Sequence, residues 1–202
     1  MKRNRSTTLW LSYTGVLVAL QIVLGNLVQI AFLEKQMNLG FLPIAAAGYL
    51  FGPVSAMLVA AMGDILGTLI FGTGAYFPGF TVTALIVGLF YGWIMFPRYQ
   101  QWINRIFKNP VAAIAVRALL AALLAAVLYL FLNSYWLTFF ISRGYWLILL
   151  GRLPFNAAEV PIFAALITVT CLALNRLPPA LLLSKTTKGS GKDQLGDADE
   201  SV

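Results

Sequence analysis

The sequence contains no histidine and only one cysteine, Cys171. Without histidine the chain cannot use histidine-based acid–base catalysis or a Ser-His-Asp or Cys-His triad, and it lacks the commonest metal ligand. One cysteine allows neither an intrachain disulfide nor a site with several cysteines. A Walker motif is also missing, so the chain is not expected to hydrolyse ATP itself. These absences predict a protein that is not an enzyme, with no catalytic residues, no metal and no cofactor.

Charge is scarce as well. Only 10% of the residues are charged, 60% are hydrophobic, and the mean hydropathy is +0.83, which lies outside the range of soluble globular domains. The stretch from Trp10 to Leu174 is almost continuously apolar. Because one span needs about 20 apolar residues, the breaks in this stretch are best matched by six helices. We therefore predict an all-α integral membrane protein with six transmembrane helices in contact with the lipid bilayer.

The breaks place the predicted helices at residues 9–33, 39–51, 54–70, 80–96, 111–132 and 151–175. Gly52 and Pro53 are a helix stop followed by a helix start. The second helix is short for a full crossing, so it is expected to be tilted, partly re-entrant or sheltered by its neighbours. Residues 133–150 are rich in aromatics and are predicted to lie at the outer interface as an amphipathic belt. The first apolar stretch is too long for a signal peptide and is read as a retained helix.

The placement of the cations predicts the orientation. Ten of the 14 Lys and Arg residues lie in the N-terminus, the connector 97–110 and the C-terminal part. Six helices put these three regions on one side, which the positive-inside rule makes cytoplasmic. The chain is thus divided into a basic N-terminus (1–8), a transmembrane domain (9–175) and a polar, disordered tail (176–202). Since the charge is an orientation signal, no nucleic-acid partner is expected.

Charged residues inside a membrane bundle are costly and mark candidate functional sites. Arg152, Asn156 and Glu159 share one face of the last helix, which descends about 10 Å from its outer end. Arg152 can clamp a carboxylate with its forked donors, and Asn156 both donates and accepts. The stripe suits a polar, anionic ligand that enters from outside. An internal Arg–Glu pair, or an arginine that snorkels to the interface, is the alternative.

Two further charges, Asp64 and Arg117, have similar predicted depths. The favoured interpretation is a structural ion pair, and proton coupling through Asp64 is the less favoured one. Gly15 and Ala19, four residues apart on the first helix, allow close approach of another helix. Most small-residue faces of the chain are expected to pack within the bundle, but this one could meet another subunit.

The uncharged segment 71–80 is rich in glycine and aromatic residues. It is superficially similar to a phosphate-cradling loop but lacks the Gly-Lys-Ser/Thr end. Its glycines allow sharp turns, and Tyr76, Phe77 and Phe80 could cover a ring or an apolar chain. The alternative is that this is the ordinary composition of a membrane interface.

Four segments together resemble the folate-family S components of energy-coupling factor (ECF) vitamin transporters. In order along the chain they are Gly40–Pro53, Gly63-Asp64, Thr73–Thr81 and Leu132–Trp136. The resemblance covers about residues 10–175, and Thr73–Thr81 is its most specific part. It implies a six-helix subunit of a bacterial importer that binds a vitamin at the outer side of the cell membrane. It also implies partners, namely a transmembrane T subunit and two cytoplasmic ATPases, and toppling of the S subunit to release its cargo inward.

The resemblance further implies where the pocket lies. The outer loops after helices 1, 3 and 5 form it in the family, and they correspond here to Leu39–Phe41, Thr73–Phe80 and Asn133–Trp136. A small-xxx-small motif on helix 1 contacts the T subunit, and Gly15 and Ala19 match it. We expect Arg152 and Asn156 to lead binding; the residues expected to complete the site are Tyr76, Phe77, Phe80, Asn133, Trp136 and Asn26.

The identity of the vitamin is less determined. Folate-type members tend to carry an arginine late in helix 1, where this chain has Asn26. The candidate outer cations are few, namely Lys35, Arg143 and Arg152, and this economy slightly favours pantothenate, a monoanion, over folate. Two other classes stay open. A solitary secondary transporter would use Asp64 or Glu159 for proton coupling, and a membrane-embedded enzyme is much less favoured.

Overall fold

The computed structural model describes residues 2–31, 36–72, 76–99, 103, 106–107, 109–140 and 144–176. Its elements are α1 (Lys2–Asn26), β1 (Gln29–Ala31), β2 (Gln36–Asn38), α2 (Phe41–Phe51), α3 (Pro53–Phe71), α4 (Pro78–Met95), α5 (Pro110–Leu128), α6 (Ser134–Leu137) and α7 (Tyr145–Asn175). A π-helical turn, Tyr129–Asn133, joins α5 to α6. Within the described residues five stretches are long and apolar enough to cross a membrane: Thr8–Asn26, Pro53–Phe71, Pro78–Met95, Pro110–Leu137 and Tyr145–Asn175.

The helices form a bundle with two distinct ends. Trp10 Nε1 donates to Ser55 Oγ at 2.7 Å, and Tyr49 OH donates to Asn175 Oδ1 at 2.7 Å. These bonds join the early part of α1, the start of α3, the end of α2 and the end of α7, and we call this the termini end. The opposite end, which we call the hairpin end, carries the β1–β2 pair and the starts of α4 and α7. Both ends of the described chain therefore lie on one side of the bundle.

Helix α2 lies at the centre of the bundle. Its eleven residues span only about 16 Å, too little to cross a membrane alone. It packs against α1, α3, α4 and α7, and eight of its residues are buried. This agrees with the predicted short helix that is sheltered by its neighbours. Gly52, with a φ of 90°, ends α2, and Pro53 starts α3, as the sequence predicted.

Glycines close the termini half of the bundle. A Cβ on Gly48 would lie 2.8 Å from Gly92 Cα, and one on Gly88 would lie 2.7 Å from the carbonyl oxygen of Ala56. A Cβ on Gly92 would overlap the backbone of Pro53. Because each of these neighbours is backbone, α2, α3 and α4 approach more closely than any larger residue permits.

The structure corrects the predicted end of the first helix. Helix α1 stops at Asn26 instead of residue 33, and β1 and β2 form an antiparallel pair in which Ile30 faces Met37. Past the end of the helix the carbonyl oxygen of Leu24 accepts from the Leu39 N–H at 3.3 Å, in place of a donor from a further helical turn. The predicted charged turn 34–36 lies mostly outside the described residues.

The predicted start of the last helix is corrected as well. It was placed at residue 151, but residues 145–150 are the first turns of α7, and residues 134–137 continue α5. Helix α7 is therefore 31 residues long, about 46 Å, and it accommodates two internal prolines, Pro154 and Pro161. Neighbouring helices can satisfy the carbonyl groups that such prolines leave without an intrahelical donor. The interfacial position of the segment 133–150 stays a prediction.

Candidate ligand-binding site

A cavity of about 290 Å³ opens into the bundle near the hairpin end. It is bounded by α1, β2, α2, α3, α4, the π turn and α7. Its lining residues are Gln21, Met37, Asn38, Gly40, Phe41, Ile44, Ala60, Asp64, Phe80, Ala84, Tyr129, Asn133, Arg152, Glu159 and Phe163. The volume is close to the lower limit of small-molecule sites, which combine apolar walls with a few converging polar groups.

Three charged side chains converge on the cavity. Arg152 and Glu159 reach it from α7, where a spacing of seven residues puts them on one face, and both are buried. Asp64 reaches it from α3. The lining thus carries two carboxyl groups and one guanidinium. Such a set can accept hydrogen bonds from a ligand's N–H groups and can also hold one carboxylate on the arginine.

Asp64 is oriented by a short chain of hydroxyl groups. Thr81 Oγ1 donates to Asp64 Oδ2 at 2.7 Å and lies 3.1 Å from the Tyr76 hydroxyl oxygen. Because a threonine hydroxyl carries a single proton, Tyr76 is the donor in the second bond. The predicted ligand residue Tyr76 therefore acts on the cavity through Thr81 and Asp64, and is not part of the lining.

Two amide side chains border the cavity, but their oxygens are not exposed to it. Gln21 Oε1 and Asn133 Oδ1 are buried and receive no hydrogen bond from the described residues. A buried polar atom without a partner costs free energy. The Gln21 side chain occupies the space that a Cβ on Gly63 would need. Gly63 thus leaves space for the Gln21 side chain, and Asp64 supplies a carboxylate to the cavity.

Aromatic rings form the apolar part of the lining. Phe41 and Phe163 stack with ring centroids 3.8 Å apart and an interplanar angle of 19°. Phe80 and Tyr129 line the cavity from α4 and the π turn. Flat, apolar walls of this kind suit a planar ring.

A second aromatic cluster stands beside the cavity and not in it. Phe77 lies 5.6 Å from Trp136 and 5.2 Å from Phe140, measured between ring centroids. Trp136 Nε1 also donates to Thr83 Oγ1 at 3.1 Å. The predicted ligand residues Phe77 and Trp136 thus join the start of α4 to the end of α6, and their effect on a ligand is indirect.

Two other predicted site residues lie outside the main lining. Asn156 donates to the carbonyl oxygen of Arg152 at 2.9 Å and lines a separate cavity of about 30 Å³, where Glu159 is also found. Asn26 donates to the Ile22 carbonyl oxygen at 2.9 Å and packs over Gly67. Of the predicted ligand residues, Phe80, Asn133 and Arg152 reach the main cavity. The other outer cations considered, Lys35 and Arg143, and residues 73–75 fall outside the described residues.

The predicted Asp64–Arg117 ion pair gains no support. Asp64 lies seven residues before the hairpin end of α3, whereas Arg117 lies seven residues after the termini end of α5. The side chain of Asp64 accepts a hydrogen bond from Thr81. The two charges therefore belong to different parts of the interior, and Asp64 is better described as a cavity residue.

The predicted partner face on α1 is exposed. Gly15 and Ala19 are both exposed, and a Cβ on Gly15 would meet nothing within 4 Å. Within the described chain this small-residue face is therefore not used for internal packing.

Sequence reasoning missed several lining residues, above all Gln21, Tyr129 and Phe163. Gln21 could have been identified from the sequence, because an amide in the middle of an apolar helix needs a hydrogen-bond partner. Tyr129 continues the face of α5 that carries Ala122 and Ala126, so helical periodicity could have placed it. No group of three or more His, Cys, Asp or Glu side chains that could hold a metal occurs in the described part of the chain.

A helical bundle with spans long enough to cross a membrane and a polar, aromatic-walled cavity at one end is typical of proteins that bind a small molecule. The comparisons with known proteins agree. The family model described as the S component of the ECF-type riboflavin transporter matches residues 5–176. The chain belongs to this family of S components, so it is a transport component and not an enzyme.

Among curated proteins the chain is similar to two folate transporters named FolT. It is 29% identical over 165 residues to that of Clostridium novyi, covering 82% of this chain and 89% of the relative. It is 36% identical over 77 residues to that of Leuconostoc mesenteroides, covering 38% of this chain and 41% of the relative. A crystal structure of FolT bound with folic acid aligns with a TM-score of 0.66 at 25% identity, covering 83% of this chain and 93% of that one.

Proposed function

We propose that the chain captures a folate-type vitamin at the outer surface of the bacterial cytoplasmic membrane, as the substrate-binding component of an ECF-type importer. The observation that carries this proposal is the hairpin-end cavity, where charged side chains from α3 and α7 meet the stacked rings of Phe41 and Phe163. Family membership supports the class of transporter. The solitary secondary transporter is not favoured, since the relatives found are ECF components and FolT proteins.

The chemistry of the lining favours folate over pantothenate. The lining combines two carboxyl groups, Asp64 and Glu159, with one guanidinium, three amides that both donate and accept, and the Tyr129 hydroxyl. Such a mixed set suits a ligand that has both N–H donors and a carboxylate. The amino-substituted pteridine ring of folate carries N–H donors on a flat frame, which the stacked rings of Phe41 and Phe163 can cover. Pantothenate has no ring, so it would leave these flat walls without a matching surface.

The small number of outer cations suggested pantothenate. We propose folate instead. Arg152 can clamp one carboxylate of the glutamate part of folate. The first argument counted only cations, whereas the aromatic walls of the cavity also bear on the choice of ligand. The FolT relatives support the same change.

The remaining partners follow from the family. ATP hydrolysis has to be supplied by other subunits, and we propose a transmembrane T subunit and two cytoplasmic ATPases. The exposed Gly15 and Ala19 face of α1 supports a contact with the T subunit, because small residues let a second helix approach closely. The positive-inside rule supports a cytoplasmic termini end, which turns the cavity to the outside.

Equilibrium binding to the purified chain in detergent tests the proposal, without partners or ATP. We expect labelled folic acid to bind and to be displaced by unlabelled folic acid but not by pantothenate. We expect Asp64→Asn to weaken binding about tenfold, because the amide offers only one acceptor oxygen to an N–H donor. Binding of pantothenate alone would contradict the ligand, and binding of neither vitamin by folded protein would contradict the function.

A further inference from the structure

Two polar side chains of the cavity lining are each held by the protein through only one of their two polar atoms. Asn38 Oδ1 accepts from the backbone N–H of Gly40 at 3.0 Å, and Asp64 Oδ2 accepts from Thr81 Oγ1 at 2.7 Å. The other two atoms, Asn38 Nδ2 and Asp64 Oδ1, make no hydrogen bond within the described residues. Neither atom is fully buried, in contrast to Gln21 Oε1. Both are therefore available to a ligand in the cavity that their side chains line.

The contact with Gly40 fixes the orientation of the Asn38 amide. In the opposite orientation the NH2 group would meet the Gly40 N–H, one donor against another, so the oxygen belongs on that side. The junction between β2 and α2 is also tightly packed: Gly40 is buried, and a Cβ on it would lie 3.1 Å from Gly25 Cα on α1. The atom that Asn38 has left for a ligand is thus its nitrogen, which can only donate.

Asp64 offers the opposite chemistry, because a carboxylate oxygen accepts hydrogen bonds. The Gln21 amide lies between the two side chains. Its Nε2 would be 3.4 Å from a Cβ on Gly40, which binds Asn38, and its Oε1 occupies the place of a Cβ on Gly63, which precedes Asp64. This part of the lining therefore presents one oriented donor and one oriented acceptor, on opposite sides of Gln21.

We infer that Asn38 is a specificity-determining residue of the ligand site, whose Nδ2 donates to a carbonyl oxygen on the ring of the ligand while Asp64 Oδ1 accepts from a ring N–H. The pair selects flat rings that carry both a carbonyl group and an N–H, as the oxo-substituted pteridine of folate does. A ring with an amino group in place of the carbonyl sets a donor against the Asn38 donor and is disfavoured, since both groups are then left without an acceptor. This inference rests on the proposed function, because it concerns the same site.

Two ligands and two asparagines test the inference. 4-Aminofolic acid carries an amino group in place of the ring carbonyl oxygen of folic acid, and we expect the wild type to bind folic acid at least tenfold more tightly. Asn38→Asp keeps an oxygen for the Gly40 N–H but replaces the donor with an acceptor, so it should lower this ratio at least tenfold. Asn109→Asp is the matched control. Asn109 Oδ1 accepts from the Val111 N–H at 3.0 Å at the exposed start of α5, and this variant should keep the wild-type ratio.

The ratio of the two affinities cancels a general loss of binding that the new carboxylate causes. A ratio that Asn38→Asp leaves unchanged would overturn the inference and leave the proposed function intact. Should this variant not fold, or bind neither ligand, the wild-type ratio decides. Equal affinity of the wild type for the two ligands would then overturn the inference, and a preference of at least tenfold for folic acid would support it. Failure of the folded wild type to bind folic acid would overturn the proposed function, and the inference with it.

Discussion

In the termini half of the bundle Gly88 and Gly92 bring helix backbones together, whereas nearer the hairpin end Gly63 and Gly67 make room for side chains. The neighbours of Gly88 and Gly92 are backbone atoms of Ala56 and Pro53. The neighbours of Gly63 and Gly67 are the side-chain amides of Gln21 and Asn26.

The difference explains why one half is closed and the other holds a cavity. Backbone contact leaves no space between helices, and it fixes their distance. Where a glycine faces a polar side chain, that side chain lies between the helices. It keeps them further apart and places a hydrogen-bonding group inside the bundle. The same four-residue spacing of small residues thus builds a rigid base under a polar site, and substitutions at the two pairs should separate folding from binding.

The largest loss of stability is expected in the termini half, where Gly92 contacts the backbone of Pro53. Gly92→Ala should lower the free energy of unfolding by about 3 kcal/mol, because the new methyl group overlaps the backbone of Pro53, which cannot move aside. Denaturant titration of the purified chain in detergent measures this. Gly15→Ala is the control, since a Cβ there meets nothing within 4 Å. Equal stability of the two variants would mean that α3 and α4 are not in backbone contact.

The second-largest effect is expected on the affinity for folic acid, with the stability of the fold unchanged. Arg152→Ala should weaken folic acid binding at least tenfold, about 1.4 kcal/mol, while the protein stays folded. Arg98→Ala, which removes an exposed arginine, should bind like the wild type. Equilibrium binding measures both, and an unchanged affinity of the Arg152 variant would remove this side chain from the site.

A milder substitution tests the glycine that faces Gln21. Gly63→Ala should displace the Gln21 amide and weaken folic acid binding about fivefold, at the cost of one hydrogen bond. Its unfolding free energy should change by less than about 1 kcal/mol, since the far end of a flexible side chain can move. Gly144→Ala, at an open position, is the control. A loss of stability as large as that of Gly92→Ala would erase the distinction between the two glycine pairs.

Substitutions on the exposed face of α1 are expected to have the smallest effect on stability and on folic acid binding. Gly15→Leu should change neither stability nor folic acid binding, but it should abolish uptake when the chain is expressed with its partner subunits, because the bulky side chain blocks helix approach. Val169→Leu on the exposed face of α7 should leave uptake intact. Normal uptake by the Gly15 variant would rule out this face as the partner contact.

Hydropathy and turn residues were enough to predict most of the fold. The helix boundaries at Gly52 and Pro53 and the interior packing of Gly88 and Gly92 follow from local rules. The end of α1 at Asn26 does not, because the helix is followed by the β1–β2 pair, and a pairing between two strands leaves no mark in helical periodicity. The start of α7 was predicted at residue 151 and lies at Tyr145. The difference arises because an aromatic-rich segment is common both at a membrane interface and within a helix.

The site was predictable only in part. Arg152 and Glu159 could be assigned to one face because helical periodicity is local. The partnership of Asp64 with Thr81, in place of Arg117, depends on which helices are neighbours, and depth along the chain does not give this. Tyr129 could have been placed on the face of α5 that carries Ala122 and Ala126, but which helices border that face depends on tertiary packing.

The most direct test of the account is protection of the cavity from a thiol reagent in intact cells. Met37 lines the cavity at the hairpin end, so Met37→Cys in a Cys171→Ala background introduces a single target there. We expect a membrane-impermeant maleimide to label this cysteine from outside, and saturating folic acid to suppress the labelling while pantothenate does not. Labelling that ignores folic acid, or that occurs only after the cytoplasmic side is exposed, would contradict an outward-facing vitamin site.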